Sequence, residues 1–127
     1  MVSIIKIFEE NSKASFFIAL LIAIAIFYIS SLTFAPVPGG GPDIKPTLYH
    51  LFSFFFLTAF LLFALVKGKK KDFIFIVILI ALMYGISDEF HQSFVPGRAT
   101  TFADFLLDST GILFAGFIYV LSLSRRK

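Results

Sequence analysis

Four long apolar runs separated by short polar segments define the organisation of this chain. Because about 20 apolar residues in a helix cross the hydrocarbon core of a bilayer, each run predicts a membrane span. The two later runs stay uncharged for only about 15 residues, so we expect their helices to include the neighbouring acidic residues. The predicted spans cover about residues 14–35, 47–66, 73–92 and 104–123.

Composition excludes soluble and disordered classes of protein. Of the 127 residues, 58% are hydrophobic and 15% are charged, whereas soluble domains carry about 25% charged residues. A water-soluble domain of this size cannot bury so much apolar surface. Cysteine is absent, which removes disulfides, thiol nucleophiles and thiolate metal sites. The sequence therefore predicts one domain over residues 1–127, an all-α integral membrane bundle of four transmembrane helices.

The basic residues predict the orientation of the bundle. Two lie near the N-terminus, four in the loop between the second and third spans, and three at the C-terminus, out of eleven in all. These segments share one side of a four-span bundle. Since cytoplasmic segments carry an excess of Lys and Arg, we expect a plasma-membrane protein with both termini cytoplasmic. Basic residues placed at the ends of apolar runs also argue against nucleic acid as a partner.

Most ionisable residues of the opposite, extracytoplasmic side come from three segments that are distant in sequence. They are Asp43, Lys45, His50, Asp88, Glu89, His91, Arg98, Asp104 and Asp108. Ionisable side chains at membrane depth are costly and usually functional. We therefore expect a polar site at the extracytoplasmic end of the bundle. The alternative is that these charges only mark solvated helix ends.

The largest group of candidate functional side chains lies at the end of the third span. On a helix, Tyr84, Asp88 and His91 share one face, and Gln92 lies one turn after Asp88. Glu89 projects about 100° from Asp88 around the helix axis. Two carboxylates and an imidazole within one turn can bind a cation, or can act as acid and base in different protonation states.

Asp104 and Asp108 lie one turn apart at the start of the fourth span, with Gly111 on the same face. Like charges at this spacing destabilise a helix, and a cation, an arginine or shared protons would relieve the repulsion. Thr101 lies three residues before Asp104 and predicts a helix cap. With Asp88, the two aspartates predict a divalent metal site, and such ligands suit Mg²⁺, Mn²⁺ or Zn²⁺.

These segments resemble the VanZ-like family of small membrane proteins, named for a teicoplanin-resistance protein. The family pattern D-E-x-H-Q-x-F-x-P-x-R is similar to Asp88–Arg98, and D-x-x-x-N-x-x-G is similar to Asp104–Gly111, with Asp108 replacing the usual asparagine. An aspartate–lysine pair before a histidine resembles residues 43–50, where the spacing is wider. The resemblance covers about residues 33–117 and implies a role at the cell envelope, linked to glycopeptide resistance.

Two functional hypotheses follow from the residues and the resemblance. The first is an envelope protein whose polar site engages a membrane lipid or a lipid-linked envelope precursor, by binding alone or by hydrolysis or transfer. Its candidate catalytic residues are His50, Asp88, Glu89 and His91. Its candidate binding residues are Lys45, Tyr84, Gln92 and Arg98, and its candidate metal ligands are Asp88, Asp104 and Asp108. The second hypothesis is a non-catalytic membrane interaction protein whose polar residues hold the helices together.

Overall fold

Five α-helices make up the part of the chain that the computed structural model describes, residues 1–33 and 44–126, with the backbone alone at residues 44 and 45. Within these residues there is no strand. Asp43 and the side chain of Lys45, two predicted members of the polar site, lie outside the described part. The helices are α1 (Val2–Glu10), α2 (Ser12–Ser30), α3 (Ile44–Leu65), α4 (Phe73–Gln92) and α5 (Phe102–Ser124).

Helices α2 to α5 are long and apolar enough to cross a membrane, which confirms the predicted all-α bundle of four spans. Large apolar side chains cover their outer surface. Ile24 of α2 is 56% exposed, Phe75 of α4 is 74% exposed and Phe114 of α5 is 54% exposed. A water-soluble monomer rarely exposes contiguous apolar surface on this scale. The chain is therefore a multi-pass membrane protein.

The helix bounds agree with the predicted spans to within a few residues, except at the end of the first span. Helix α4 continues through its acidic residues to Gln92, as expected. Helix α5 begins at Phe102, where the Oγ1 atom of Thr101 accepts a hydrogen bond from the backbone N–H of Asp104 at 3.3 Å, which confirms the predicted cap. Helix α2 ends at Ser30 rather than at residue 35, and residues 34 and 35 lie outside the described part.

The short helix α1 was not predicted from the sequence. It is separated from α2 by Asn11, whose backbone leaves the helical region and whose side-chain amide donates to the carbonyl oxygen of Ile7 at 2.8 Å. Side-chain amides often compete for backbone groups in this way and interrupt helices. Helix α1 buries Ile5 and Glu9 against the bundle.

Consecutive spans run in opposite directions, and α3 lies at the centre. It packs most extensively on α5 and next on α2. Close packing on α5 depends on Gly111, because a Cβ atom there would collide with the backbone carbonyl of Leu51. The end of the bundle formed by the C-termini of α2 and α4 and the N-termini of α3 and α5 is named the carboxylate end. The opposite end is named the basic end.

Candidate functional site

A buried hydrogen bond between α3 and α5 lies at the centre of the carboxylate end. The Nδ1 atom of His50 is 2.8 Å from Oδ1 of Asp108, and the two side chains are 4% and 0% exposed. Gly111, one turn after Asp108, brings the two helices close enough for this contact. Where Asp108 is ionised its carboxylate can only accept, so Nδ1 of His50 donates this hydrogen bond.

Three more acidic side chains surround this pair and complete a group that we name the carboxylate cluster: His50, Asp88, Glu89, Asp104 and Asp108. One ligand atom from each of Asp88, Glu89 and Asp108 lies within 4.8 Å of the other two. The same holds for His50, Glu89 and Asp104. The three aspartates predicted as metal ligands are therefore divided between two sets, and Glu89 belongs to both.

The carboxylate cluster concentrates negative charge where little water is present. Asp88 is 4% exposed and Asp108 is fully buried. Two unit charges about 4 Å apart repel by about 4 kcal/mol at an effective dielectric constant near 20. Buried carboxylates therefore need a proton, a cationic group or a metal ion to compensate their charge.

Four oxygen atoms of the carboxylate cluster have no hydrogen-bond partner among the described residues. They are Oδ1 of Asp88, Oδ2 of Asp108 and both carboxylate oxygens of Glu89. The second oxygen of Asp88 accepts a hydrogen bond from Nε2 of Gln92 at 2.9 Å. Since nearly all buried polar groups in native proteins are paired, these oxygens are acceptors available to a ligand.

Tyr84 and Gln92, two of the predicted binding residues, attach α4 to α2. The hydroxyl of Tyr84 donates to the carbonyl oxygen of Ala23 at 2.5 Å. The Nε2 atom of Gln92 donates to Oγ of Ser30 at 3.2 Å, in addition to its bond with Asp88. Gln92 therefore connects the packing of α2 to the carboxylate cluster.

His91, a predicted catalytic residue, also lies against α2. Its Nε2 atom is 2.9 Å from Oγ of Ser31, and its ring stacks on Phe27 with the ring centroids 4.5 Å apart. The predicted shared face of Tyr84, Asp88 and His91 therefore packs toward α2. His50 and Glu89, rather than His91, lie beside the unpartnered oxygens.

Arg98 lies in the loop between α4 and α5 and binds the C-terminal end of α2. Its Nε donates to the carbonyl of Leu32 at 3.0 Å, and its Nη2 donates to the carbonyl of Ile29 at 2.6 Å. Carbonyls at a helix C-terminus lack intrahelical partners and favour a cation nearby. These contacts give this predicted ligand-binding residue a packing role at the end of α2.

Tyr49 and the serines at the end of α2 belong to this region but were not predicted from the sequence. The ring of Tyr49 meets that of His50 edge to face, 5.6 Å between centroids, and its buried hydroxyl has no partner among the described residues. A tyrosine directly before His50 carried no separate signal. The adjacent hydroxyls of Ser30 and Ser31, at the end of an apolar run, were a signal that could have been used.

A second buried polar group, named the Glu9 cluster, lies at the basic end and consists of Glu9, Gly68, Tyr119 and Arg126. Oε1 of Glu9 accepts from the Tyr119 hydroxyl at 2.6 Å, and Oε2 accepts from Nη1 of Arg126 at 2.6 Å. The backbone N–H of Gly68 donates to the Tyr119 hydroxyl at 2.9 Å. This group was not predicted, because more than a hundred residues separate Glu9 from its partners.

The fold and the site define a multi-pass α-helical membrane protein with a buried carboxylate cluster at one end of its four spans. The chain belongs to the VanZ/LLP1 family, whose family model matches residues 7–123. The resemblance seen in the sequence motifs is thereby confirmed. Comparison with curated proteins and with solved structures gives no match.

Proposed function

We propose that this protein binds the polar headgroup of a membrane lipid, or of a lipid-linked envelope precursor, at its carboxylate end. The observation that supports the proposal is a cleft of about 420 Å³ at the end of α4 and the start of α5. Glu89 lines this cleft and also belongs to both sets of the carboxylate cluster. A headgroup in the cleft would therefore lie next to the unpartnered carboxylate oxygens.

The lining of the cleft combines three kinds of side chain. The lining residues are the acidic Glu89, the hydroxyl residues Ser93, Thr100 and Thr101, and the aromatic residues Phe90, Phe102 and Phe105. Phe90 and Phe102 are 68% and 73% exposed, so their rings face the surroundings of the bundle. Hydroxyls and carboxylates suit the hydroxyl and amino groups of a headgroup, while exposed aromatic rings suit an adjoining lipid chain.

Binding can be tested with the purified protein in nanodiscs and two defined probes. One probe is phosphatidylglycerol, and the other is a polyprenyl-diphosphate-linked disaccharide peptide, each followed by native mass spectrometry. We expect one probe to bind saturably and Glu89→Ala to weaken it at least about tenfold, because truncating a buried charged contact costs about 2 kcal/mol or more. Asp72→Asn, an exposed carboxylate at the other end of α4, is the matched control.

Two results would contradict the headgroup proposal. One is the absence of saturable binding of either probe by the wild-type protein. The other is equal binding by the wild-type protein and Glu89→Ala when both are equally abundant and helical.

A link to teicoplanin resistance is proposed from the name of the family alone. Expression of the wild-type protein in a susceptible bacterium should raise the inhibitory concentration of teicoplanin, and Glu89→Ala at equal membrane abundance should not. Unchanged susceptibility with the wild-type protein would separate this protein from the resistance phenotype without affecting the binding proposal.

The second candidate function is a non-catalytic membrane interaction protein whose polar residues are structural. The contacts of Tyr84, His91, Gln92 and Arg98 with α2 favour it, since each of these polar side chains binds a neighbouring helix. On this hypothesis Glu89→Ala and His91→Ala should both reduce the amount of folded protein. On the headgroup hypothesis Glu89→Ala should leave folding intact.

We also propose that the basic end faces the cytoplasm, because Lys and Arg concentrate there. The chain contains no cysteine, so single cysteines can be labelled without background. A membrane-impermeant maleimide should label Thr100→Cys in intact cells and should label Lys69→Cys only after permeabilisation. The reverse labelling pattern would place the carboxylate cluster on the cytoplasmic side.

A further inference from the structure

We propose that Asp88, Glu89 and Asp108 bind one hard divalent cation of the Mg²⁺, Mn²⁺ or Ca²⁺ class, and that His50 positions Asp108 for this role. The proposal concerns the resident ion of the carboxylate cluster. It stands independently of whether a headgroup occupies the neighbouring cleft.

Each of the two aspartates is held by one oxygen and offers the other. Oδ2 of Asp88 accepts from Gln92, and Oδ1 of Asp108 is 2.8 Å from Nδ1 of His50. The remaining oxygens, Oδ1 of Asp88 and Oδ2 of Asp108, are buried and have no partner among the described residues. Metal ligands are typically oriented in this way, by outer hydrogen bonds that leave one atom for the ion.

Glu89 supplies the third ligand and distinguishes this group from an ordinary acidic patch. Both of its carboxylate oxygens are buried and without a partner in the described part of the chain. A buried carboxylate with two unpaired oxygens, close to two further buried carboxylates, requires either protons or a cation among them. A cation contacting all three would satisfy their oxygens at once.

The spacing of the oxygens agrees with the size of such an ion. Two ligand atoms of one ion are at most two bond lengths apart, about 4.2 Å for Mg²⁺ and about 5 Å for Ca²⁺. The ligand atoms of Asp88, Glu89 and Asp108 lie within 4.8 Å of one another. Separations in this range are compatible with Ca²⁺ and, after side-chain adjustment, with the smaller Mg²⁺ or Mn²⁺. Three carboxylate ligands without sulfur are typical of hard cations.

Mn²⁺ is a suitable probe because the free ion is measured directly by electron paramagnetic resonance. The full chain, purified in an uncharged maltoside detergent and treated with chelator, is titrated with MnCl₂. We expect saturable binding that Ca²⁺ or Mg²⁺ displaces, and a melting temperature that rises with the ion and falls with chelator. Absence of saturable Mn²⁺ binding by the wild-type protein would overturn the proposal and favour protons shared among the carboxylates.

Isosteric variants assign the ligands. Asp88→Asn, Glu89→Gln and Asp108→Asn should each weaken Mn²⁺ binding at least about tenfold, since each removes a charged ligand. His50→Gln should weaken it about 10- to 100-fold, as expected for an outer partner of a ligand. Asp72→Asn, at the opposite end of α4, should bind as the wild-type protein does. Wild-type affinity in all three ligand variants would contradict the assignment.

Two measurements keep the result independent of folding and of the proposed function. Glu89→Asp retains the negative charge but has a side chain shorter by one methylene group. If this variant keeps the helical circular dichroism spectrum and binds Mn²⁺ more weakly, Glu89 ligates the ion directly. Wild-type Mn²⁺ binding by the same variant would count against it. Headgroup binding is then measured with chelator present. Saturable headgroup binding by a wild-type protein that does not bind Mn²⁺ in the absence of chelator contradicts the cation proposal alone.

Discussion

At the basic end, each carboxylate oxygen of Glu9 has a hydrogen-bond donor, whereas at the carboxylate end neither oxygen of Glu89 has one among the described residues. Both carboxylates are buried, and both belong to groups that connect helices distant in sequence. They differ in their partners. Glu9 meets a tyrosine and an arginine, while Glu89 meets three other carboxylates and a histidine.

This difference separates a structural polar group from a functional one. A buried charge whose partners are all supplied by the protein fastens the helices that supply them, and removing one partner is costly. A buried charge that the protein leaves unpaired lowers stability, and proteins retain such costs mainly at functional sites. The Glu9 cluster therefore serves the fold, and the carboxylate cluster is the better candidate for function.

The largest expected effect is on the Glu9 cluster. Arg126→Met leaves the carboxylate of Glu9 buried without its cation, and we expect a loss of about 3 kcal/mol in the free energy of unfolding. Unfolding in mixed micelles of maltoside and dodecyl sulfate measures it. Arg125→Met, which removes an exposed neighbouring charge, should change the free energy of unfolding by less than about 0.5 kcal/mol. Equal losses in the free energy of unfolding of the two variants would contradict a structural role for this cluster.

A smaller loss is expected where α3 and α5 are closest. In Gly111→Ala the new methyl group meets the backbone of Leu51, which cannot move without separating the helices. We expect a loss of about 1–3 kcal/mol in the free energy of unfolding, together with weaker Mn²⁺ binding. Gly116→Ala is the control, because its methyl group meets only the flexible end of the Ile78 side chain. A larger loss in the control would contradict the packing described for Gly111.

A loss of about 1 kcal/mol is expected for Thr101→Ala, which removes the cap of α5. The Thr101 hydroxyl accepts from the backbone N–H of Asp104 and donates to Oδ2 of the same residue at 2.9 Å. Thr100→Ala changes the neighbouring hydroxyl, which has no capping role in α5. If the two variants are equally stable, the cap contributes nothing measurable to the carboxylate end.

The smallest effect on stability is expected for Glu89→Gln. In chelator-treated protein, where the charge of Glu89 has no partner among the described residues, removing it should leave the free energy of unfolding within about 0.5 kcal/mol or increase it. Glu9→Gln, the same substitution in the Glu9 cluster, should lower the free energy of unfolding more than Glu89→Gln does. A loss of 2 kcal/mol or more at Glu89 would mean that the carboxylate cluster, like the Glu9 cluster, holds the bundle together.

The four spans and the gathering of acidic side chains at one end of the bundle could be predicted, because both depend largely on local patterns. Apolar runs of span length, the Thr101 cap and the helical continuation to Gln92 are each visible within about 20 residues of sequence. The grouping of Asp88, Glu89 and Asp108 is less local, but consecutive spans in a bundle alternate in direction. That alternation places the end of the third span beside the start of the fourth.

The sequence could not show which polar side chains pack against α2 and which belong to the carboxylate cluster. His91 and Glu89 are two positions apart, so their side chains point about 200° apart around α4. Which of the two directions leads to α2 and which to α5 depends on how the helices pack. The Glu9 cluster was hidden for the same reason, since nothing near Glu9 in the sequence indicates contact with α5.

The contact between Glu9 and Arg126 has a consequence for the order of events during synthesis. These residues are 117 positions apart, and at about 5–20 residues per second the arginine is made roughly 6–23 s after the glutamate. During that interval the glutamate lacks the cation of Arg126, and we expect it to remain hydrated at the membrane surface. We therefore expect helix α1 to dock only after Tyr119 and Arg126 have been translated, which would make closure of the basic end a late step.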